Sequence, residues 1–414
     1  MIGSARLGAA TVALLVALSM VPAIISVDSM LAEGDDCSPG TFTLVPDSPP
    51  ALESLQSTQA WKHATGVGVT VAIVDSGIDA NNVHFPGVVV GGINLVPDGE
   101  NAQGLTDLEG HGTAIAGTIA ARPIEGSGVY GIAPNSVLLS VRVFRDQGQQ
   151  SADAGFGPTA DRIAQGIRWA AENGADIINV SISDYAESAA MLDAVNFAQA
   201  SGALVVASAG NRNTTGYPDD SVRYPAGYPG VLGVAATNDL GVVTDDSIHG
   251  PQVAVAAPGV NVLTSATGAG DCLYATEEAS TSFATGYASG AAALVAEAHP
   301  DETPAQWKYR LEASALRVNL DARDDRAGWG MIQPYDAITL VPSSSTRGPE
   351  SPFADISGSA IQIPDVAVKP RPSTSPFEVT REAMIYVAVS AVSILGVFGV
   401  IIVLRRTRRI AREK

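Results

Sequence analysis

Residues 69–79 read VTVAIVDSGID. The run 69–74 is apolar or β-branched throughout and lacks the alternation of a half-exposed strand, so it predicts a strand covered on both faces. Asp75 follows directly and opens an Asp-Ser-Gly turn. Turn chemistry alone can account for that triplet. In an open parallel sheet, however, ligand sites form beyond the carboxyl ends of strands, where Asp75 would stand. Outward from this stretch, strand patterns fall at 137–143, 176–182, 203–207, 231–236 and 253–256. Helical patterns fall at 161–172 and 189–200, stopped by Asn173-Gly174 and by Gly202. The alternation predicts an α/β fold of three layers, a mostly parallel central sheet with helices on both faces.

The chain has 414 residues, enough for one core domain with appendages. Arg6 precedes an apolar run over 7–25, the layout of a secretory signal peptide, assigned to 1–32. Residues 33–57 are rich in Pro, Ser and Asp and predict an extended arm. The core domain is expected over 58–340 and a Pro/Ser-rich linker over 341–382. Residues 383–404 carry no charge over roughly 22 positions, long enough to cross a bilayer as a helix. Arg405, Arg406, Arg408, Arg409, Arg412 and Lys414 follow at once. A buried core helix would not end on such a cluster. The positive-inside rule then predicts a single-pass protein of the cell membrane, its core domain extracellular and its 405–414 tail cytoplasmic.

The net charge is −19 although the tail is basic, so the outer part is strongly acidic. Nucleic acid and anionic lipid are poor partners for such a surface. The two cysteines, Cys37 and Cys272, fit neither a zinc pattern nor Cys-x-x-Cys. Outside the cell a disulfide is the expected state of such a pair. It would close a loop of more than ~200 residues, on the order of 5 kcal/mol by chain entropy.

A second stretch, residues 278–296, reads EASTSFATGYASGAAALVA. It opens on Ser280-Thr281-Ser282 and continues as an alanine-rich helix of about four turns, predicted to run buried through the domain. A serine in the first turn sits at the positive end of the helix dipole, where developing negative charge is favoured. N-capping by Ser280 or Ser282 is the plain alternative. His111 lies in GHGTAIAG (110–117), between glycines that let other backbone come close. The other four histidines, His63, His84, His249 and His299, have no such setting and are expected to be surface or packing residues. Asn211 ends VVASAGN (205–211), just past a strand, where its amide could donate to an oxyanion or simply make a turn.

Together DSGID, GHGTAIAG, VVASAGN and STSFATG resemble the four signature segments of subtilisin-like serine proteases of the S8 family, over roughly residues 61–340. The resemblance implies Ser282 as nucleophile, His111 as general base and then acid, and Asp75 as the residue orienting the imidazole. It implies Asn211 and the Ser282 backbone N–H as oxyanion donors. Ser181, Ile182 and Ser183, in NVSISD, would form a substrate-binding strand, with Ser208 to Gly210 as the other wall of the specificity pocket. Signal peptide, short cysteine-bearing arm, C-terminal membrane helix, YGIAPNSVLLSVRVF (130–144) and RWAAENGADIINVSIS (168–183) are most similar to the mycosins, membrane-anchored subtilases of type VII secretion. Mycosins usually carry a cysteine just before the histidine; here that place reads Asp107-Leu108-Glu109-Gly110. Ser280 stands where the family has glycine, and would be strained if the position needs positive φ. Gly286 replaces a proline and should loosen the first helical turns, while Ser183 stands for glycine and should narrow the cleft.

The expectation is a membrane-anchored endopeptidase acting on exported polypeptides in connection with a secretion complex. The alternatives are a structural part that stabilises such a complex, proteolysis being secondary or lost, and a surface protease that processes a precursor peptide. No cofactor or metal is implied. Asp219, Asp220, Asp245 and Asp246 lack ligand spacing and read as a solvated acidic face.

Overall fold

The computed structural model describes Cys37 and residues 42–212, 219–268 and 270–353. The leader (1–32), the apolar span (383–404) and the basic tail lie outside the described residues. Among the described residues no helix is long and apolar enough to cross a membrane.

The elements follow the chain in a strand–helix alternation. Helices α1 (Pro50–Ser54) and α2 (Ser57–Ala60) precede strands β1 (Thr70–Asp75) and β2 (Val89–Asn94). Then come α3 (His111–Ala120), β3 (Val137–Arg142), α4 (Gln149–Asp153) and α5 (Ala160–Glu172). Strand β4 (Ile177–Val180), α6 (Ala189–Ala200), β5 (Leu204–Ser208), β6 (Leu232–Thr237) and β7 (Val255–Pro258) continue the pattern. A hairpin of β8 (Val262–Ala266) and β9 (Gly270–Tyr274) leads into α7 (Thr281–Ala298), followed by α8 (Pro304–Ala313) and α9 (Pro334–Thr339).

Seven strands form one sheet in the order β2-β3-β1-β4-β5-β6-β7, every pairing parallel. Its central strands are buried on both faces, as the unbroken apolar runs require. In β1, Val71 and Ile73 enter the cluster formed with α3 and α7, whereas Ala72 and Val74 enter the one formed with α5 and α6. Leu204 and Val206 of β5 divide from Val205 and Ala207 in the same way. The predicted three-layer α/β architecture is therefore present. Strand ends shift by one or two residues, and β2 and the β8–β9 hairpin were not foreseen.

Helix α7 has 18 residues, each from Thr281 to Ala296 buried. A helix with no wet face must keep its side chains small so that its neighbours can close on it. At Gly286 a Cβ would lie 2.2 Å from Thr118 Oγ1 of α3, and at Gly290 one would lie 2.7 Å from Ile132 Cβ. Gly286 thus serves the α3–α7 contact; it is not a loosened turn. Ser280, before the helix, has φ −110°, so a serine is unstrained there and the glycine expectation is corrected.

Two boundaries also differ from expectation. The arm is not extended throughout: it contains α1, and Ala51, Leu52 and Leu55 are part of the main core. At the other end residues 341–353 still touch the domain, with Arg347 ion-paired to Asp321 and the Phe353 ring 5.7 Å from that of Tyr309.

Cys37 and Cys272 form a disulfide with Cα atoms 5.7 Å apart. The arm also pairs with the hairpin, Asp271 N–H donating to Thr43 O at 2.8 Å and Val45 N–H to Asp271 Oδ2 at 2.8 Å. Replacing both cysteines by serine should lower unfolding free energy in urea by about 2–4 kcal/mol, with an unchanged far-ultraviolet circular dichroism spectrum. An unaltered midpoint would show that the bridge adds nothing to stability.

Candidate active site

Asp75 ends β1 at the carboxyl edge of the sheet and is fully buried. Its neighbours are built to hold it. The buried Arg142 side chain donates from Nε to Ser76 O at 3.0 Å and from Nη1 to Asn94 Oδ1 at 3.1 Å, fixing the turn after the strand. Nη2 of the same guanidinium lies 2.7 Å from Asp98 Oδ2. Burial pushes the Asp98 carboxyl up, but the Arg142 hydrogen bond and charge overcome it and hold the group below its usual range.

Helix α3 starts at His111, after Gly110 at φ 89°. Its first turn is pinned to the same strand end: Gly112 N–H donates to Ser76 Oγ at 2.9 Å. A Cβ on Gly112 would lie 2.1 Å from Gly77 O and 3.2 Å from Asp75 Cβ, so only glycine permits this approach. The imidazole consequently reaches Asp75. His111 Nδ1 lies 2.7 Å from Asp75 Oδ1, which also accepts from Ser76 N–H at 2.8 Å. A carboxylate only accepts, so Nδ1 carries the hydrogen and Nε2 has the free lone pair.

Three carboxylates surround the ring. Asp107 accepts from Gly110 N–H, Thr113 N–H and Thr113 Oγ1 at 2.6–2.8 Å, capping the start of α3. Burial raises its pKa in spite of these bonds. Burial also raises Glu109, aided by the charges of Asp75 and Asp107 and opposed by His111, to about 7. For His111 burial acts downward, but the charge and hydrogen bond of Asp75, with Glu109 and Asp107, carry it up to about 9.

Ser282 lies in the first turn of α7. Two reciprocal bonds tie this turn to the segment after β4: Ser282 Oγ donates to Ser181 O at 3.1 Å, and Ser181 Oγ to Ser282 O at 3.0 Å. Behind them Asn179 Nδ2 donates to Ser181 Oγ at 2.9 Å, and Ser289 Oγ to Asn179 Oδ1 at 2.9 Å, a polar line into the core. No hydrogen bond joins Ser282 to His111 among the described residues. The hydroxyl is turned toward the strand. Asn211 accepts at Oδ1 from Thr281 N–H and Thr281 Oγ1, both at 2.8 Å, and Thr281 Oγ1 meets Ser208 Oγ at 2.6 Å. The carbonyl end of that amide is thereby committed, which aims Nδ2 away from Thr281.

His111, Ser282, Asn211, Ser181, Ile182, Ser183 and Ser208 all line one cleft of about 400 Å³. Asp75 stands behind the imidazole, and Gly210, at φ 102°, lies beneath the wall. Every residue singled out around the reacting centre is brought together, while the Cys37–Cys272 bridge, between the arm and the hairpin, is not among the residues that line the cleft.

The subtilase family model matches residues 66–330. This chain belongs to the subtilase family. The subtilase is 38% identical over 251 residues to subtilisin of Bacillus pumilus, covering 61% of this chain and 85% of that one. It is 33% identical over 319 residues to fervidolysin of Fervidobacterium pennivorans, covering 72% of this chain but only 44% of that longer protein. Among solved structures it resembles MycP1 of Mycobacterium smegmatis, with a TM-score of 0.62 and 29% identity, over 78% of this chain and 94% of that one.

Several site residues of the subtilase escaped the sequence reading. Thr281, Asp107, Ser76 and Arg142 are embedded in the quoted motifs, but their hydrogen bonds follow only from the fold. His84 is neither a surface nor a simple packing residue: buried, it places Nε2 2.6 Å from Asp271 Oδ1 and Nδ1 2.7 Å from Arg122 O. Asp220 and Asp245 are engaged with Arg212 and Arg326. Among the described residues no group of His, Cys, Asp and Glu is arranged to hold a metal.

Gly112→Ala tests the packing argument. The new methyl meets backbone at Gly77, which cannot yield, so a stability loss of about 1–3 kcal/mol is expected. Displacing His111 from Asp75 should lower peptidase activity by about a hundredfold. Thermal unfolding and kcat/KM on one preparation read both.

Proposed function

We propose that this subtilase is a serine endopeptidase that works through an acyl-enzyme on Ser282. The observation that carries this reading is the His111–Asp75 bond at 2.7 Å beside a cleft that Ser282 and Asn211 share. Substrate enters as an extended strand along Ser181, Ile182 and Ser183, opposite Ser208 and Gly210. Ser282 Oγ swings from the Ser181 carbonyl toward His111, gives its proton to Nε2 and bonds to the scissile carbonyl carbon. The oxygen becomes an oxyanion held by Asn211 Nδ2–H and the Ser282 backbone N–H, at the positive end of α7. Collapse breaks the C–N bond, and the proton on Nε2 leaves with the amine. Water then gives one proton to His111 and bonds to the acyl carbon; the C–Oγ bond breaks and Ser282 recovers the proton. Asp75 acts by positioning: it keeps hydrogen on Nδ1 and offsets the imidazolium charge.

The finer reading is a membrane-tethered enzyme facing outward, acting on exported polypeptides beside a secretion assembly. It is supported by the apolar run 383–404 with its basic flank, and by structural likeness to MycP1, a protein described as an essential component of the type VII (ESX-1) secretion system. The domain limits, a leader over 1–32, a catalytic domain over 58–340 and a linker over 341–382, belong to the same proposal. The contacts of residues 341–353 move the domain's edge slightly beyond 340.

A fluorophosphonate probe should label the full chain and leave Ser282→Ala unlabelled; a well-folded wild-type chain that resists the probe overturns the peptidase reading. The pH dependence follows from the same site. His111 accepts a proton only when neutral, and with its pKa raised to about 9 the labelling rate should climb through the alkaline range and fall as pH drops through that value. Glu109→Gln removes one charge that favours the imidazolium, so the acid limb should move to lower pH. A limb that stays in place would show that Glu109 does not act on the ring.

A further inference from the structure

Of the three carboxylates round His111, two are committed within the fold. Asp75 Oδ1 holds the imidazole and accepts from Ser76 N–H, and Asp107 takes three donors at the start of α3. Glu109, two residues before His111, is the third. It is half-buried, and its Oε2 is withdrawn from water with no hydrogen-bond partner among the described residues. Its charge is favoured by His111 and by a hydrogen bond from the Gln147 backbone. Arg145, two residues from Gln147, is turned to Asp146 at 3.8 Å and does not pair with Glu109. A carboxylate drawn out of water beside two like charges gains more from an incoming cation than a solvated one does.

The cleft decides which cation that would be. Gln147 and His111 line it together with Ser181, Ile182 and Ser183. Glu109 adjoins both, bonded to the backbone of one and acting by charge on the other. In an extended chain, successive side chains point to opposite sides. A substrate lying along Ser181–Ser183 sends the residue just before the scissile bond between that strand and Ser208–Gly210. The residue one position earlier then points the other way, toward His111 and Gln147, where Glu109 stands.

Building on the peptidase reading, we infer that Glu109 makes this subtilase selective for a basic residue, Arg or Lys, at the second position before the scissile bond. The guanidinium or ammonium reaches past the imidazole and meets the Glu109 carboxylate as a charge-assisted pair. The net charge of −19 favours the approach of the same substrates. Glu109 is here a specificity residue, and takes no part in bond making.

The experiment uses the full chain and pools of peptide p-nitroanilides. Each pool carries an equimolar mixture of residues just before the scissile bond, and the pools differ only at the second position: Arg, citrulline, Ala or Glu. Fluorophosphonate labelling is run in parallel, because it reports the nucleophile without a side chain at that position. Arg should exceed citrulline, its neutral isostere, by about tenfold in kcat/KM, with the advantage shrinking at high salt, and Glu should be poorest. Glu109→Gln should bring the Arg and citrulline rates together; their ratio at one pH cancels any change in His111. Glu109→Lys should turn the preference toward Glu. The wild-type ratio decides the matter should the variants fail to fold. A labelled enzyme that takes citrulline as well as Arg, or takes none of the pools, overturns the selectivity and leaves the nucleophile in place. An Arg preference that survives whole in Glu109→Gln overturns it too. A chain that does not label at all overturns the peptidase reading, and the selectivity with it.

Discussion

Helix α7 can be buried on every side only because it is made of alanine, glycine and small hydroxyl residues, and much else in the molecule follows from that constraint. It crosses the domain with Gly286 against Thr118 and Gly290 against Ile132, contacts that a single added methyl would disturb. A helix held this tightly delivers its N-terminus to a defined place. That place is the carboxyl edge of the sheet, where Ser181 and Ser282 exchange two hydrogen bonds and Thr281 grips Asn211. The positions of the candidate nucleophile and of the candidate oxyanion amide are thus set by core packing, which is more rigid than a loop.

The second organising choice is electrostatic. Asp75, Asp107 and Glu109 are gathered round one imidazole in a largely buried setting. Carboxylates buried in this way oppose folding unless hydrogen bonds offset the lost hydration. Asp107 offsets part of that cost by capping α3 with three donors, so one side chain fixes the helix that carries His111 and raises the histidine's proton affinity. Structure and reactivity share the same bonds there. The arrangement favours the imidazolium, the form that the proposed mechanism requires while its oxyanion exists, at the expense of the neutral base at moderate pH.

Strong periodicity was legible in the chain and special geometry was not. The runs at 69–74 and 203–207 read as strands covered on both faces, and 189–200 was bounded correctly, with Gly202 as its stop and, in the structure, Ser188 as its N-cap. The four candidate residues were legible as a set, in the order Asp75, His111, Asn211, Ser282, although turn or capping chemistry can account for most of the segments taken singly. Strand β2 was not, since VVGGIN has neither alternation nor an apolar run. Arg223, which also lines the cleft, was invisible for another reason: it precedes a Tyr-Pro pair in an irregular stretch, and only the fold brings that stretch beneath Gly210. The partnership of His84 with Asp271, 187 residues apart, is equally a product of topology. Ser280 shows the reverse error, a strain expected from a motif that the observed φ of −110° does not impose.

The hairpin β8–β9 links parts that the chain order keeps apart. On one side it holds the arm, through the Cys37–Cys272 disulfide, the Thr43 bridge and the Asp271 carboxylate that Val45 and His84 share. On the other it braces α3: Thr264 Oγ1 donates to Ala114 O at 2.9 Å and Ser265 Oγ to Thr113 O at 2.8 Å, while Gly117 leaves room for both hydroxyls. These carbonyls lie in the first turns after His111. An arm anchored to the hairpin therefore restrains the helix that aims the imidazole, by a continuous path of covalent and hydrogen bonds. The acidic Asp271 is the hub of that path, adjacent in sequence to the cysteine that closes it. Loosening the arm would therefore act on the hairpin that, together with α7 and β1, packs against α3 and so bears on the aim of the imidazole.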